Sequence, residues 1–439
     1  RFLHAADLHL DRPCHTAADV PSHLLDLLID APLRAAAKVF DTVIDQHVDF
    51  VVLSGDVVEP HSATPRELLF LVEQLERLAQ HNITVYWSGG AVDSVDHWPS
   101  YIHWPNNVHF FSRGHVQRHR PEIAGTPICE IIGSSHAESQ LPRPYDFAPS
   151  SADLFSIAVA HANWNASALG EIGVDYWALG GPHTRSTPLE TSCVAHFAGT
   201  PQGRSSTNSG PHGCTIVTVD EQSHVRLTPL TCDVLRWLTP QLSLSAPADA
   251  DELERLLFER TEQLLADSMG PALLVTWQIT CPGPLQSALR HGSLGAELTS
   301  KLRQNFGHRQ QPLWTLAIEV ELSDQIPPQW SAEETLRGDF LRAVQQCPEQ
   351  FALGSDSAMP IVQQASSLVQ SDSPSVQQLE LNIAETLADG LSAIHLPPSS
   401  AQTLAQLSPA VESPEVRRRL LREVAWLGAD LLGPAEASR

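Results

Sequence analysis

Positive charge is scarce in this sequence. Among its 439 residues, 27 lysines and arginines face 51 aspartates and glutamates, which gives a formal net charge of -24. A negative field repels a polyanion, so contact with nucleic acid would need a local basic face or a basic partner. The composition therefore argues against a protein that binds DNA by itself.

Paired cysteines and long apolar runs are also missing. The seven cysteines are scattered and never form a C-x-x-C pair, which argues against a disulfide framework and a zinc ribbon and predicts mostly buried thiols. No run approaches about 18 apolar residues, and the segment Arg1 to Asp7 is typical of a strand rather than of a signal peptide. We therefore expect a cytoplasmic protein without a membrane segment.

The sequence does contain enough apolar material for folded domains. Hydrophobic residues make up 42% of the chain and charged residues 18%, a balance that excludes wholesale disorder. Because a single core stops growing near ~250 to 300 residues, this length indicates roughly two to three domains.

Strand and helix patterns alternate in the first half of the chain. Apolar runs such as 50–54 lie between helical patterns such as 65–80, which indicates a layered α/β domain. The second helical pattern begins with Thr64 as a candidate N-cap and Pro65 at the first helical position. Its apolar stripe, which includes Leu71, predicts core packing, with a dimer interface as the alternative.

A change of pattern after residue 232 predicts a second, smaller domain. Strand, helix, strand, helix and strand patterns follow one another, the second helix covering 285–306, and a segment of this size carries its own core. No internal repeat is present. The predicted organisation is an α/β domain at 1–232, a small α/β domain at 233–326, a helix at 327–353, a Ser/Gln/Pro-rich linker at 354–375 and C-terminal helices within 376–439.

Residues of metal-ligand type follow four predicted strands of the first domain. Asp7 and His9 follow the first strand, Asp56 the second, and His161 and His183 two later ones. Ligands converge at the carboxyl ends of strands in open α/β sheets, so these residues can meet in one crevice. Any one of them is easily a surface residue in a chain with 21 histidines, but the repeated placement predicts a metal site. Mixed oxygen and imidazole donors suit Mn, Fe or Zn better than Ca.

Three segments resemble the calcineurin-like metallophosphoesterases: 2–11, which contains D-L-H, 49–56, which ends in G-D, and 176–180, which reads Y-W-A-L-G. Within that family the chain is most similar to the SbcD/YhaO-type DNA repair exonucleases, whose pattern is also matched by Pro201-Gln202-Gly203-Arg204 and by 210–214. The resemblance covers roughly 1–237. It implies a layered β-sandwich flanked by helices, then a small α/β capping domain and C-terminal helices.

The resemblance also implies a two-metal centre in which the first metal keeps its ligands. By position in the family motifs, Asp7, His9 and His183 would hold the first metal. Asp56 would bridge the two metals, and His161 would belong to the second.

Three departures from the family motifs fall on the second metal and on the general acid. Where the family has G-N-H-D, the chain reads G-A-V-D, so the asparagine ligand becomes Ala91 and the histidine that assists the leaving group becomes Val92. Where the family has G-H-x-H, the first histidine becomes Gly181. Two-metal cleavage uses both ions, and loss of a general acid removes another ~10² to 10⁴ in rate.

We therefore expect one Mn, Fe or Zn ion, a weak or empty second site, and a nuclease reaction that is lost or strongly attenuated. The alternative is a substitute ligand from Asp93, Asp96 or His97, which follow the altered motif closely. The pair Asp93-Ser94 matches the family's own D-S, which places these side chains outside the ligand set.

The later segments predict contacts with DNA and with a partner. Arg290, Lys301, Arg303 and Arg309 are candidate DNA contacts in the capping domain, with a solvated basic face as the alternative. The helical pattern at 414–432 combines an apolar stripe with an arginine face. In this family such helices dock on the coiled-coil base of an SbcC-like ABC-type ATPase, and packing against the helix's own domain is the alternative.

The sequence thus predicts a homodimeric, nuclease-like subunit of an SbcCD-type DNA repair complex with a degenerate metal centre. Two rival hypotheses stay open. One is an active metal-dependent DNA exonuclease or phosphodiesterase with a rearranged site. The other is a non-catalytic scaffold for the ATPase.

Overall fold

The computed structural model describes residues 1–14, 20–94, 96, 98–137, 142–244, 249–268, 270–281, 284–320 and 328–345. Within them the chain is a mixed α/β structure with several sheets flanked by helices, which confirms the predicted fold class. The linker predicted at 354–375 and the C-terminal helices predicted within 376–439 lie outside the described residues.

The elements follow one another in the alternating order that the sequence patterns predict. The described helices are α1 Ser22–Asp45, α2 Pro65–Gln80, α3 Ala166–Leu169, α4 Ala250–Asp267, α5 Pro284–His291, α6 Leu294–Phe306, α7 Pro328–Ser331 and α8 Leu336–Gln345. The described strands are β1 Phe2–Ala5, β2 Phe50–Leu53, β3 Thr84–Trp87, β4 Val108–Phe110, β5 Gln117–His119, β6 Glu122–Ile123, β7 Thr126–Pro127, β8 Glu130–Ser134, β9 Ser156–His161, β10 Tyr176–Gly180, β11 Ser186–Glu190, β12 Val194–Phe197, β13 Gly213–Val219, β14 Val225–Thr231, β15 Leu235–Leu238, β16 Gln241–Ser243, β17 Ala272–Thr280 and β18 Leu313–Val320.

Two six-stranded sheets dominate the first part of the chain. The first has the order β14-β13-β1-β2-β3-β4, and β1 to β4 run parallel. The second has the order β11-β12-β10-β9-β8-β5, and its strands β8, β9, β10 and β12 run parallel. Every residue of β1 and β2 is buried, as expected of central parallel strands that are covered on both faces.

The two sheets share one apolar core. Phe2 and Phe50 of the first sheet and Ile157 and Tyr176 of the second belong to the same buried cluster. The rings of Phe2 and Phe50 stack with their centroids 5.0 Å apart, and Tyr176 meets Phe2 edge to face at 5.4 Å. Aromatic pairs at such distances stabilise a core beyond the area they bury, so the sheets are held as a sandwich.

Helix α2 confirms the predicted cap and the predicted core stripe. The hydroxyl of Thr64 accepts a hydrogen bond from the N–H of Arg66 at 3.3 Å. The carboxylate of Glu67 accepts one from the N–H of Thr64 at 2.7 Å, as in a capping box. The buried leucines of this helix are Leu68, Leu71, Leu75 and Leu78. Because these leucines pack in the core under the first sheet, the stripe gives no support to a dimer interface.

Helix α1 contains a proline, and its effect is compensated by a neighbouring segment. Pro32 has no N–H to donate to the carbonyl of Leu28, one turn earlier. The N–H of Cys14 donates to that carbonyl instead, at 3.1 Å. Around this point the packing of α1 changes: Leu28 packs in a cluster with Trp237 of β15, whereas Phe40 packs on the first sheet.

The chain divides into two compact units. The larger contains 1–243, 248–279 and 293–319, and it includes a smaller sheet with the order β15-β17-β16 to which β18 is added by pairing with β17. In place of the single helix predicted over 285–306 there are two helices, α5 and α6, separated by Gly292 and Ser293. Glycine is a poor helix former, which explains the interruption. The domain boundaries at 232 and 326 stay predictions.

The smaller unit contains α5, α7 and α8 within the described residues. The guanidinium of Arg342 on α8 donates to the carbonyl of Glu333 at 3.1 Å. This bond ties α8 to the turn that follows α7.

The described residues bear on two further predictions, that of buried cysteine thiols and that of a chain without a membrane segment. Six cysteines are free and buried there, which confirms the predicted buried thiols. None of the described helices is both long and apolar enough to span a membrane.

Candidate metal centre

Five acidic and histidine side chains meet at the carboxyl ends of parallel strands. Asp7 and His9 follow β1, Asp56 follows β2, His161 ends β9, and His183 follows β10. The Nε2 atoms of His9 and His183 lie 3.3 Å apart, so the two sheets contribute to one site. The structure thus brings together all five residues that the sequence predicts as ligands.

Their donor atoms form two overlapping groups. Asp7, His9 and His183 each offer one atom within 4.8 Å of the other two, and so do Asp7, Asp56 and His161. Oδ2 of Asp56 lies 3.6 Å from Nε2 of His161 and 3.9 Å from Nε2 of His9. Asp7 is therefore common to both groups, and Asp56 lies between the two histidines.

Three of the five residues have left-handed backbone conformations. The φ angles of Asp7, His9 and Asp56 are 54°, 44° and 53°. Such conformations are costly outside glycine and cluster at functional sites, where the surroundings enforce them. Here the N–H of Asp7 donates to Gly55 O at 2.9 Å and that of His9 to Asp56 O at 3.1 Å. These bonds hold the loops after β1 and β2 together.

Glycines at two positions allow the loops to approach each other. A Cβ atom on Gly90 would lie 2.2 Å from Oδ1 of Asp56, and one on Gly55, whose φ is +88°, would lie 2.7 Å from Nδ1 of His161. No side chain fits at either position without moving a candidate ligand. The two glycines are therefore part of the construction of the site.

A backbone carbonyl orients His161. Its Nδ1 lies 3.0 Å from the carbonyl oxygen of Ser54, which can only accept, so Nδ1 carries the proton. In the neutral ring Nε2 then carries no proton, and it faces Asp56. Fixing the ring in this way is what outer partners do for metal-binding histidines. The hydroxyl of Ser54 is bound in turn by the buried His4, 2.7 Å away.

Burial sets the protonation of the first group. Desolvation raises the pKa of Asp7 to about 7 and lowers that of His9 to about 2, with the nearby charge of Arg204 adding to the effect on His9. Burial and Arg204 also lower the pKa of His183. Both histidines are thus neutral near pH 7, which is the form that binds metals.

The first group fits a divalent transition metal. Two ligands that are each ~2.1 Å from one ion lie no more than ~4.2 Å apart, and the 3.3 Å between His9 and His183 satisfies this limit. In the described part of the chain, the carboxylate of Asp7 accepts hydrogen bonds only from the N–H of Gly181. A cation among these groups would stabilise the ionised form of Asp7.

Asp93 has a structural role beside the centre, as an acceptor of hydrogen bonds. Its Oδ1 accepts hydrogen bonds from the N–H groups of Asp56 at 2.9 Å and Gly90 at 2.6 Å. Its Oδ2 accepts from the N–H of Val57 at 3.0 Å and from the indole of Trp87 at 2.9 Å. Burial raises the pKa of Asp93, and the hydrogen bonds from Val57, Gly90 and Trp87 oppose that shift. With both oxygens engaged, Asp93 lies outside the candidate ligand groups.

The three altered motif positions lie around the second group. Ala91 is exposed, and the N–H of Val92 donates to Oδ1 of Asp56 at 3.3 Å. A Cβ atom on Gly181 would lie 3.6 Å from Nε2 of His161. Side chains at these positions are therefore near the second group, but alanine, valine and glycine offer it no ligand atom. Asp96 is exposed, and His97 lies outside the described residues.

Comparison with known proteins agrees with this geometry. Residues 1–185 match the family described as calcineurin-like phosphoesterase. Over these residues the chain is similar to that family. It is also 26% identical over 341 residues, 74% of this chain and 82% of the other, to the uncharacterized metallophosphoesterase YhaO of Bacillus subtilis. These matches and the candidate ligand groups support a metal-binding phosphoesterase-type domain.

Two solved structures of vacuolar protein sorting 29 were also matched. The protein from Cryptosporidium parvum is 14% identical, with 52% of this chain and 97% of that chain covered, at a TM-score of 0.24. A double mutant from Entamoeba histolytica is 13% identical, with 52% and 98% covered, at a TM-score of 0.23. Both TM-scores are too low to bear on function.

The basic residues predicted as DNA contacts have partners within the chain. Lys301 and Arg309 pair with Glu254 and Glu262 of α4. Arg303 donates to the carbonyls of Thr315 and Leu316 at 2.7 and 3.1 Å. Arg290 lies half-buried on α5. Contact of these four residues with DNA stays a prediction, and a phosphate would have to compete with the partners of Lys301, Arg303 and Arg309.

Two residues near the candidate metal centre have roles that the sequence did not assign. One is Asp93, which was placed outside the ligand set without a structural role. The other is Arg204, whose Nη2 lies 3.3 Å from Nδ1 of His183. In the sequence, Arg204 is singled out only by its place in the Pro-Gln-Gly-Arg motif. That motif indicates the branch of the family that the chain resembles, but not the contact with His183.

The role of Asp93 can be tested by Asp93→Asn. The amide would place N–H groups against two of the four donors, so we expect a loss of roughly 2 to 4 kcal/mol in the free energy of unfolding. Weaker Mn²⁺ binding should accompany it, because Asp56, the expected bridging ligand, loses its support. The exposed neighbour Asp96, 4.0 Å from Arg113, is the control, and Asp96→Asn should change neither quantity. Urea denaturation that shows equal stability for both variants would disprove this role.

Proposed function

We propose that this protein is the nuclease-like subunit of an SbcCD-type DNA-processing complex and that its phosphodiesterase centre is degenerate. The observation that carries the proposal is the contrast between the two groups. The first group has a carboxylate and two neutral imidazoles in place, whereas the second is flanked by Ala91, Val92 and Gly181, none of which has a ligand or acid side chain.

The chemistry of such a centre follows from the residues that remain. Asp7, His9 and His183 would hold one Mn, Fe or Zn ion, which when bound polarises a phosphoryl oxygen and activates water. Val92 has no proton to give to a leaving oxygen. A sugar alkoxide would therefore leave without help, which supports a strongly attenuated reaction on DNA.

A second candidate function is an active phosphodiesterase with a rearranged site. One observation favours it: Asp7 belongs to both groups, so the second group has three candidate ligands rather than the two counted from the sequence. In that case Asp7 would share the bridging role expected of Asp56.

Metal titration distinguishes the two candidates. We expect the metal-depleted protein to bind one Mn²⁺ per chain tightly, with little or no hydrolysis of single-stranded DNA. Asp7→Asn should weaken this binding at least ~10-fold, because it removes a charge common to both groups. Asp220→Asn, in an exposed turn, should leave it unchanged. Two equally tight ions with hydrolysis would favour the rearranged enzyme, and no tight ion would refute both candidates.

The partner and DNA roles rest on the sequence resemblance. We propose that the C-terminal helices dock on an SbcC-like coiled-coil ATPase, that the protein acts as a homodimer, and that DNA reaches the centre as part of this complex. The acidic net charge of -24 supports a role that depends on a partner.

Truncation after Gly354 tests the partner role. The shortened chain should lose binding to the ATPase, because the predicted C-terminal helices are removed, while the described sheets remain folded by circular dichroism. Equal capture of the full-length and shortened chains by the ATPase would contradict the proposal.

Restoring the altered positions tests the degeneracy. Ala91→Asn, Val92→His and Gly181→His together should add the missing ligands and the acid. Gly181 has a φ of +119° and precedes Pro182, so a histidine there is strained. The triple variant should therefore be compared with and without Pro182→Ala. We expect binding of a second Mn²⁺ and hydrolysis at least ~10²-fold above the parent protein.

The control for the restored variants is Gly181→Ala, which strains the same backbone without adding a ligand. If both restored variants bind a second ion but neither hydrolyses DNA above the parent protein, the three positions do not account for the loss of activity.

A further inference from the structure

A cavity of about 670 Å³ lies beside the first ligand group. His183 forms part of its wall, together with Arg12 and Arg204 and the polar side chains of Ser205, Thr207 and Asn208. The cavity therefore joins a candidate metal ligand to two guanidinium groups and to hydroxyl and amide donors. Neither the candidate ligand set nor the proposed function uses Arg204.

The segment that carries Arg204 is held firmly by the neighbouring chain. The buried amide of Gln202 donates to Gly203 O at 2.8 Å and accepts from the N–H of Val234 at 3.0 Å. The indole of Trp237 donates to the same Gly203 carbonyl at 3.1 Å. A Cβ atom on Gly203 would lie 2.7 Å from Asn208 O. The Pro-Gln-Gly-Arg motif thus has a structural purpose, which is to fix the backbone from which Arg204 extends.

Arg204 forms no ion pair within the described residues. No carboxylate oxygen of the described segments lies within 4.0 Å of its guanidinium, whereas Arg12 on the same cavity wall approaches Glu59 at 3.4 Å and Asp11 at 3.6 Å. The carboxylate of Asp11 also accepts from the N–H of Glu59 at 2.9 Å. Arg204 is thus a half-buried cation whose nearest polar side-chain partner is His183.

A divalent cation at the first group would increase this imbalance. Nη2 of Arg204 lies 3.3 Å from Nδ1 of His183, whose Nε2 faces the other ligands. The two positive charges repel each other at this distance, and the single carboxylate of Asp7 offsets only part of the charge of the ion. An anion that contacts both would remove the repulsion, and the planar guanidinium fork matches the oxygens of a phosphoryl group.

We infer that Arg204 binds a phosphoryl oxygen of the substrate whose reacting phosphate is held at the first ligand group. Hydroxyl and amide groups of Ser205, Thr207 and Asn208 supply further donors to that phosphate. This assignment rests on the proposed function. It adds the residue that positions the substrate and predicts that anion binding needs one side chain outside the ligand set.

A purely structural role for Arg204 makes a different prediction. If the guanidinium only orients His183, its removal changes the affinity for metal and leaves the affinity of the loaded protein for phosphate unchanged. The two roles are therefore separated by measuring both affinities in the same variants.

The experiment uses the full chain loaded with Mn²⁺ and titrated calorimetrically with inorganic phosphate. Arg204→Gln should weaken phosphate binding at least about 10-fold, as expected for loss of a charged hydrogen bond. Arg204→Lys keeps the charge but not the fork, so it should weaken binding less. The control is Arg226→Gln, which removes an exposed arginine of β14 next to Thr218, at the opposite end of the first sheet, and it should bind phosphate like the parent protein.

Each result supports or overturns the inference. Unchanged phosphate affinity in Arg204→Gln overturns it, and so does a parent protein that binds no phosphate with or without Mn²⁺. Should Arg204→Gln fail to fold, unchanged affinity in Arg204→Lys overturns it. If the parent protein binds no Mn²⁺, the proposed function fails. Titration of the metal-free variants then still decides whether Arg204 binds phosphate.

Discussion

The carboxylate of Asp93 joins the two loops on which the candidate centre is built. Each of its oxygens accepts two hydrogen bonds, and the donors include the N–H groups of Asp56 and Gly90. Gly90 approaches the side chain of Asp56 too closely for any Cβ atom, so this packing fixes the position of Asp56 against the loop that contains Gly90. The centre is therefore preorganised by the protein. The side chains of Ala91 and Val92 take no part in these hydrogen bonds, so the arrangement does not depend on them.

Electrostatics divide the site into regions of different character. The first group combines two neutral imidazoles with a carboxylate whose ionisation is opposed by burial, and a bound cation would stabilise the ionised carboxylate. Beyond His183 the local charge is positive, because Arg204 lies in the cavity wall. On the other side, Asp56 and His161 face positions without ligand side chains. The cavity thus borders both the positive charge of Arg204 and the ligand His183.

Much of the fold could be predicted because it depends on local patterns. The cap at Thr64, the stripe of α2 and the gathering of five ligand-type residues at strand ends all follow from short-range rules that the sequence displays. The overlap of the two groups at Asp7 could not be predicted in this way. It depends on left-handed backbone angles at Asp7 and Asp56 and on contacts between the two sheets. The contact between Arg204 and His183 could not be predicted either, because it joins segments that no sequence periodicity relates. The break at Gly292 was also missed, because the low helix propensity of glycine outweighed the apolar pattern of a single helix.

The proline inside α1 has a consequence for the cavity as well as for the helix. An ordinary residue at position 32 would offer an N–H to the carbonyl of Leu28, and that N–H would compete with the one from Cys14. Proline removes the competitor, so the carbonyl is free to accept from Cys14 at 3.1 Å. Cys14 lies in the wall of the cavity. The carbonyl that Pro32 leaves free thus anchors the segment of Cys14 to α1. Through this hydrogen bond the helix holds one side of the cavity wall in place.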